Sequence, residues 1–175
     1  ITVVELLDSL GSIKQTYDEH IVPSLDDPLQ LRLFNTYRSY LYPENCPVPL
    51  TLHSDNRGSL FEGIKTLNGG QGFFSTTHSG IIRGRHYHRF KVERFLVVSG
   101  QADIRIRRMF DDKVVTFSVR GNEPCFVDIP TLHTHEIQNT GTEELLTFFW
   151  SHELFNPDNP DTIASAVILE ENESI

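Results

Sequence analysis

Two patterns of apolar positions divide the chain. Residues 2–19 place apolar side chains at Val3, Val4, Leu6, Leu7, Leu10, Ile13 and Tyr17. Steps of three and four return to one side of a helix, so this spacing predicts an amphipathic helix, weakened in its middle by Gly11. Pro23 ends the pattern, and Asp26-Asp27-Pro28 supplies a fresh helix start. Leu29, Leu33, Phe34, Tyr37, Tyr40 and Leu41 then predict a second helix over about 28–41. Pro43, Pro47 and Pro49 stop it and leave an extended linker. From about residue 48 the apolar period shortens to two, as in Ala102-Asp103-Ile104-Arg105-Ile106-Arg107. Strands are predicted at 48–53, 59–66, 72–78, 81–88, 92–99, 101–108, 113–120, 125–129, 134–139 and 143–151. Turn signals such as Asp55-Asn56-Arg57-Gly58, Asn68-Gly69-Gly70 and Arg120-Gly121-Asn122 separate them. Short strands with no helices between them predict a mainly β fold, a closed or double-sheet antiparallel barrel of the jelly-roll kind. The expected division is a helical segment at 1–45 and a β domain at 46–175. Two short helices bury little alone, so they are expected to pack on the barrel, on another copy or on a further domain. After Asn156-Pro157-Asp158-Asn159-Pro160-Asp161 one short ordered piece is expected, then an acidic frayed end with Glu170, Glu171 and Glu173.

Composition narrows the partners. A formal net charge of −9 argues against broad nucleic-acid binding, which needs a positive face. It leaves room for one phosphorylated ligand in a local pocket of arginines. No apolar stretch approaches the roughly 20 residues of a membrane span, and no signal peptide is evident. Cys46 and Cys125 lie far apart without a CxxC pattern, and the expectation is two free thiols in a cytoplasmic protein. The chain starts at Ile1, which suggests a processed chain or a piece of a longer one.

The chemistry concentrates between Ile82 and Gly100. His86 and His88 are two apart, so on a strand they share a face. Glu93 joins them from the next strand if a short turn intervenes. Two imidazoles and a carboxylate suit a borderline divalent metal with positions left open for water or substrate. A second block, Ile129 to Asn139, offers His135 as a fourth ligand. Ligand type alone admits zinc, iron, nickel or manganese, with zinc the first expectation. By strand parity Lys91 faces with Glu93, and His133 with His135. A lysine near a metal in a poorly solvated pocket loses basicity and suits proton transfer beside a carbonyl. Lys91 and His133 are therefore the catalytic candidates.

These two blocks resemble the cupin superfamily. Gly80 precedes the His-x-His pair, Glu93 follows, and Gly100 falls seven residues later. Pro130, His135 and Asn139 fit the second motif, with Leu132 where glycine is usual. The resemblance covers about 48–151 and implies a double-stranded β-helix barrel. Asp55-Asn56-Arg57-Gly58-Ser59-Leu60-Phe61-Glu62, with Arg83-Gly84-Arg85-His86-Tyr87, further resembles the RmlC-type deoxysugar-nucleotide epimerases. That resemblance implies Arg57 and Arg83 at a diphosphate, Glu62 near the base and sugar, and His86 as the general base. A metal-bound imidazole is no free base, so His86 is assigned to the metal.

Thr36-Tyr37-Arg38-Ser39-Tyr40-Leu41, Gly72-Phe73-Phe74-Ser75, the block from His86 to Gly100 and Phe155 to Thr162 resemble the C-terminal part of the CapF family of capsular-polysaccharide enzymes. The resemblance implies a metal-containing cupin domain that epimerises a UDP-4-keto-6-deoxy-aminosugar at carbon 3. It also implies an N-terminal reductase domain using NADPH. Segment 1–45 is then the tail of that domain, whose Gly-x-x-Gly-x-x-Gly segment this sequence lacks. The expectation is a homodimeric enzyme acting on a UDP-sugar. Two other readings use the same residues: an Fe(II) cupin dioxygenase, and a non-catalytic sugar-binding or dimerisation module.

Overall fold

The computed structural model describes residues 1–41, 43–45 and 47–169. Helix α1 (Val3–Asp18) starts at a capping box: Thr2 Oγ1 accepts the Glu5 N–H, and the Glu5 carboxylate accepts the Thr2 N–H at 2.7 Å. Helix α2 (Pro28–Leu41) starts after Asp27, whose carboxylate accepts the Leu29 N–H at 2.9 Å. Ile13 and Phe34 are buried between the helices, and Tyr17 meets the Phe34 and Tyr37 rings edge-on. The link from helices to barrel includes a parallel bridge between Val22 and Thr66 and a hydrogen bond from Asn68 to Asp26. Val3, Val4 and Leu7 stay exposed on the outer side of α1.

The remainder forms two facing antiparallel sheets. The strands are β1 (His53–Asp55), β2 (Gly58–Thr66), β3 (Gly70–Thr77), β4 (Ile82–Tyr87), β5 (Glu93–Ser99) and β6 (Gln101–Arg108). They continue as β7 (Val114–Arg120), β8 (Phe126–Ile129), β9 (His133–Asn139), β10 (Leu145–Ser151) and β11 (Ile163–Ala164). One sheet runs β1-β2-β3-β10-β5-β8 and the other β11-β4-β9-β6-β7. After β3 the chain crosses between the sheets at every step except the β6–β7 hairpin, which is the jelly-roll arrangement expected of a cupin. Alternate residues of both sheets meet in one core of Phe95, Val97, Ile104, Ile106, Ile129, Ile137, Leu145 and Phe149. Burying such side chains is worth roughly 1.5–3 kcal/mol each.

The helices and nine of the ten predicted strands fall within two residues of their expected ends. The first strand does not. Residues 48–52 are irregular, and β1 begins at His53, pairing with β2 across the Asp55–Gly58 turn. Pro49 lacks the N–H that a ladder needs, which explains the late start. The ordered piece after Asp161 is β11, an edge strand on β4. Cys125 is a free, exposed thiol. Cys46, Glu170, Glu171 and Glu173 lie outside the described residues.

Leu132 resolves the departure from the second cupin motif. It adopts a left-handed backbone of the kind that favours glycine, with φ 58°, at a cost of about 1–2 kcal/mol for an L-residue. Two backbone bonds hold it there, Leu132 N–H to His88 O at 2.7 Å and Met109 N–H to Leu132 O at 2.9 Å. Glycine relieves that strain and gives back about 0.5–1 kcal/mol in unfolded-chain entropy. Leu132→Gly is therefore expected to raise the urea midpoint by a net stabilisation of about 0.5–1 kcal/mol.

Candidate metal centre

Both sheets supply the centre. His86 lies on β4 and His135 on β9 of the five-stranded sheet, and His88 follows just beyond the end of β4. Glu93 opens β5 of the opposing sheet. A bulge in β4 sets the phase. Gly84 pairs with Glu136 but His86 pairs with His135, so Arg85 is the extra residue. Gly84 and Arg85 have φ of 98° and 65°. A Cβ at residue 84 would lie 2.8 Å from the His135 carbonyl oxygen, so only glycine permits this approach. On the outer side of the sheet, buried Glu136 accepts from Arg85 Nε at 3.2 Å and Arg105 Nη1 at 2.9 Å. The bulge is thereby fastened beside both His86 and His135.

One ligand atom from each of His86, His88, Glu93 and His135 lies within 4.8 Å of the other three. Metal bonds of about 2.0–2.2 Å hold donors up to about 4 Å apart, so small side-chain shifts suffice to close the set on an ion. Nδ1 of His88 faces the Asp161 carbonyl and Nδ1 of His135 faces the His133 carbonyl at 3.3 Å. A carbonyl only accepts, so each Nδ1 carries the hydrogen and each Nε2 presents a lone pair inward. Both Nε2 atoms are buried without a hydrogen bond. Glu93 Oε2 nevertheless stands 2.9 Å from His88 Nε2 and 3.5 Å from His135 Nε2. A proton or a cation between these atoms relieves the opposition of their lone pairs. These residues fit a divalent metal.

The electrostatics agree. Burial, with help from His135, pushes His86 down to about 4, which leaves it a neutral ligand at pH 7. Burial also opposes charge on His88, but the Glu93 carboxylate and the Asp161 carbonyl outweigh it and raise its pKa. For Glu93, burial is outweighed by His135 and His88, and the carboxyl lies well below its usual range. His86 therefore contributes stability to the metal-free protein above pH 6.5 that is lost as pH falls towards 4. His88 contributes in the opposite sense, fully below its unfolded value and less as pH rises through its folded one.

The tetrad closes one end of a cleft of about 220 Å³. His86 and Glu93 reach it, Phe73, Phe95, Phe149 and Ile137 wall it, and Arg57 and Arg83 join the lining. Arg83 donates to Thr77 Oγ1 and to the Thr76 carbonyl, both at 3.1 Å, and Arg57 pairs with Asp55. A wider groove of about 920 Å³ beside α1 and α2 shares no lining residue with the cleft. The structure thus brings together His86, His88, Glu93, His135, Arg57 and Arg83. Glu62 sits on β2, 3.7 Å from Lys65, and is not among the cleft lining. Nor are the two catalytic candidates. Lys91 is buried, but its Nζ donates to the Pro160 carbonyl at 2.7 Å, and His133 Nδ1 faces the Thr131 carbonyl at 2.9 Å. Asn139 proves to be a turn brace, donating to Thr77 O and Glu143 O and accepting the Gly141 N–H. Asp161 carried no expected role, because no local pattern ties it to a histidine 73 positions away.

The barrel is a cupin fold, and the tetrad within it could hold a metal. Residues 53–163 match the polysaccharide biosynthesis C-terminal domain family. The chain belongs to that family and is a CapF-like C-terminal domain within it. It is 33% identical to the UDP-2-acetamido-2,6-beta-L-arabino-hexul-4-ose reductase of Pseudomonas aeruginosa, over 95% of this chain and 45% of that protein. The crystal structure of the capsular polysaccharide assembling protein CapF from Staphylococcus aureus superposes with a TM-score of 0.86 at 39% identity, over 95% of this chain and 45% of that one. The chain therefore spans about half the length of these two relatives. A CENP-C domain of Drosophila melanogaster matches at TM-score 0.52 and 14% identity, over 62% of this chain and 79% of that one, and shares the fold alone.

Metal binding needs every imidazole neutral at its ligand nitrogen. Zinc affinity is expected to fall at least tenfold between pH 7.5 and 5.5 as protons compete, about 1.4 kcal/mol or more. Binding should release protons wherever His88 is still protonated, so the number released falls as pH rises, and calorimetry in buffers of different ionisation enthalpy checks this. His135→Ala or Glu93→Gln is expected to weaken zinc binding by more than about 100-fold, beyond the usual effect of an outer partner.

Proposed function

We propose that this domain epimerises a UDP-4-keto-6-deoxy-aminosugar at carbon 3 during synthesis of capsular or other surface polysaccharide. The observation that carries the reading is the metal-type tetrad at one end of a cleft that also holds Arg57 and Arg83. A proton on the carbon beside a ketone is acidic because its loss gives an enolate, and return of the proton to the other face gives the epimer. His86, His88, Glu93 and His135 would hold a divalent metal, zinc before iron, nickel or manganese, which would supply Lewis acidity for a carbonyl oxygen. The rest falls to the chain. Guanidinium forks match phosphate oxygens, which suits Arg57 and Arg83 to the diphosphate. Arg83 is held by Thr76 and Thr77, whereas Arg57 has to exchange Asp55 for the phosphate. Phe73, Phe95 and Phe149 form dry walls around the sugar. Glu62 stays assigned to the outer part of the ligand, next to Lys65.

Lys91 is our proton carrier. Its ammonium opposes charge on His88, so it lies in the same field, and to act on the substrate its Nζ has to leave the Pro160 carbonyl and turn to the cleft. His133 is a weaker candidate, since its ring is turned to Thr131. The relative named as a reductase of a UDP-linked hexul-4-ose supports a 4-keto aminosugar as substrate class. On this reading α1 and α2 are the tail of a reductase domain that binds NADPH, and the whole acts as a cytoplasmic homodimer.

The purified protein, loaded with zinc and given a UDP-4-keto-6-deoxy-aminosugar in deuterium oxide, is expected to place solvent deuterium at carbon 3. Absence of deuterium there sinks the proposal. Lys91→Met should remove the exchange while leaving zinc bound. Arg83→Ala should raise KM about tenfold or more with a smaller change in kcat.

A further inference from the structure

We infer that the C-terminal strap, residues 155–163, is a working part of the metal centre, with Asp161 as the residue that positions His88 and its loop. The inference rests on the metal reading of the tetrad. Residues 89–92 join two ligands, His88 and Glu93, and this connection has no secondary structure of its own. Asp161 supplies what it lacks. Its carboxylate is only 8% exposed and accepts the backbone N–H groups of Arg89 at 3.0 Å, Phe90 at 2.8 Å and Lys91 at 2.9 Å. Its own carbonyl takes His88 Nδ1, and the preceding carbonyl, of Pro160, takes Lys91 Nζ. Two consecutive strap residues therefore hold the ligand loop by backbone, imidazole and ammonium.

Two details argue that this is more than packing. Asp161 has φ 43°, a left-handed backbone that aspartate adopts more readily than most residues but still at a cost. The strain is accepted where side chain and carbonyl both point at the loop. The strap is also fixed on either side: Phe155 N–H donates to Gln71 Oε1, and β11 pairs Ala164 with His86 and Ile163 with Tyr87. Strap and ligands thus form one hydrogen-bonded assembly.

The consequence is reciprocal. If the docked strap favours the ligand geometry, a bound metal must favour the docked strap by the same free energy. A strap that only stabilised the barrel would improve the metal-free and metal-bound forms equally.

The test uses the whole protein with zinc or cobalt(II) alone as probe. Asp161→Ala is expected to weaken zinc binding about 10–100-fold, as loss of an outer partner does. Asp161→Asn keeps one acceptor oxygen and should recover part of that loss, and it carries the test if the alanine variant does not fold. The cobalt d–d bands should shift in both. In the wild type, zinc should slow hydrogen exchange at the amides of Arg89, Phe90 and Lys91, and the alanine change should abolish that slowing. A folded Asp161 variant with wild-type affinity and bands overturns the inference, as does exchange at 89–91 that ignores zinc. A wild-type protein that binds neither ion overturns the metal reading and the inference with it.

Discussion

Two lone pairs that face each other at 2.9 Å, on His88 Nε2 and Glu93 Oε2, repel unless a positive charge lies between them. Two carbonyl groups enforce this opposition by holding the Nδ1 hydrogens of His88 and His135. In the metal-free protein a proton meets the need, which is why His88 gains basicity while Glu93 loses it. A metal ion meets it better, because it satisfies four donors at once. Buried polar atoms left without partners cost about 1–3 kcal/mol each. That cost falls on His88 and His135 Nε2 to the extent that neither a proton nor an ion engages them.

The surrounding fold serves this opposition. Facing sheets bring Glu93 from one side and three histidines from the other. Because the sheet period is two, a regular β4 would not set His86 opposite His135; the bulge at Gly84 and Arg85 does so. The bulge is stabilised outside the barrel, where Glu136 gathers Arg85 and Arg105. Glu136 is adjacent to His135 in sequence and projects the opposite way, so one strand position holds a ligand and the next holds the frame. Removing Glu136 would leave two guanidiniums without their shared buried carboxylate, which places its importance well above that of a surface ion pair.

Much of this was legible in the residues, for physical reasons. Alternation gave most strands because one face of each is buried, and helical spacing gave both helices. The i, i+2 spacing of His86 and His88 survived because the bulge falls before the pair. Where parity failed, it failed by silence about direction along the barrel: Lys91 is buried as expected, yet its long stem carries Nζ to a tail carbonyl instead of the cleft. Pro49 made an apolar run look like a strand that cannot pair. The left-handed conformations of Arg85 and Leu132 could not be read, since neither residue type signals them. Asp161 could not be read because its partners are 70 to 73 positions distant.

That distance has a bearing on how the molecule is made. The loop carrying His88 is fastened by a stretch synthesised long afterwards, so during translation the ligands of β4, β5 and β9 exist before their fastening does. The core residues of the barrel lie between Phe95 and Phe149, whereas the fastening of the His88 loop waits on Asp161. A chain whose strap has not yet docked therefore holds His88 on a loop that nothing from Asp161 fastens.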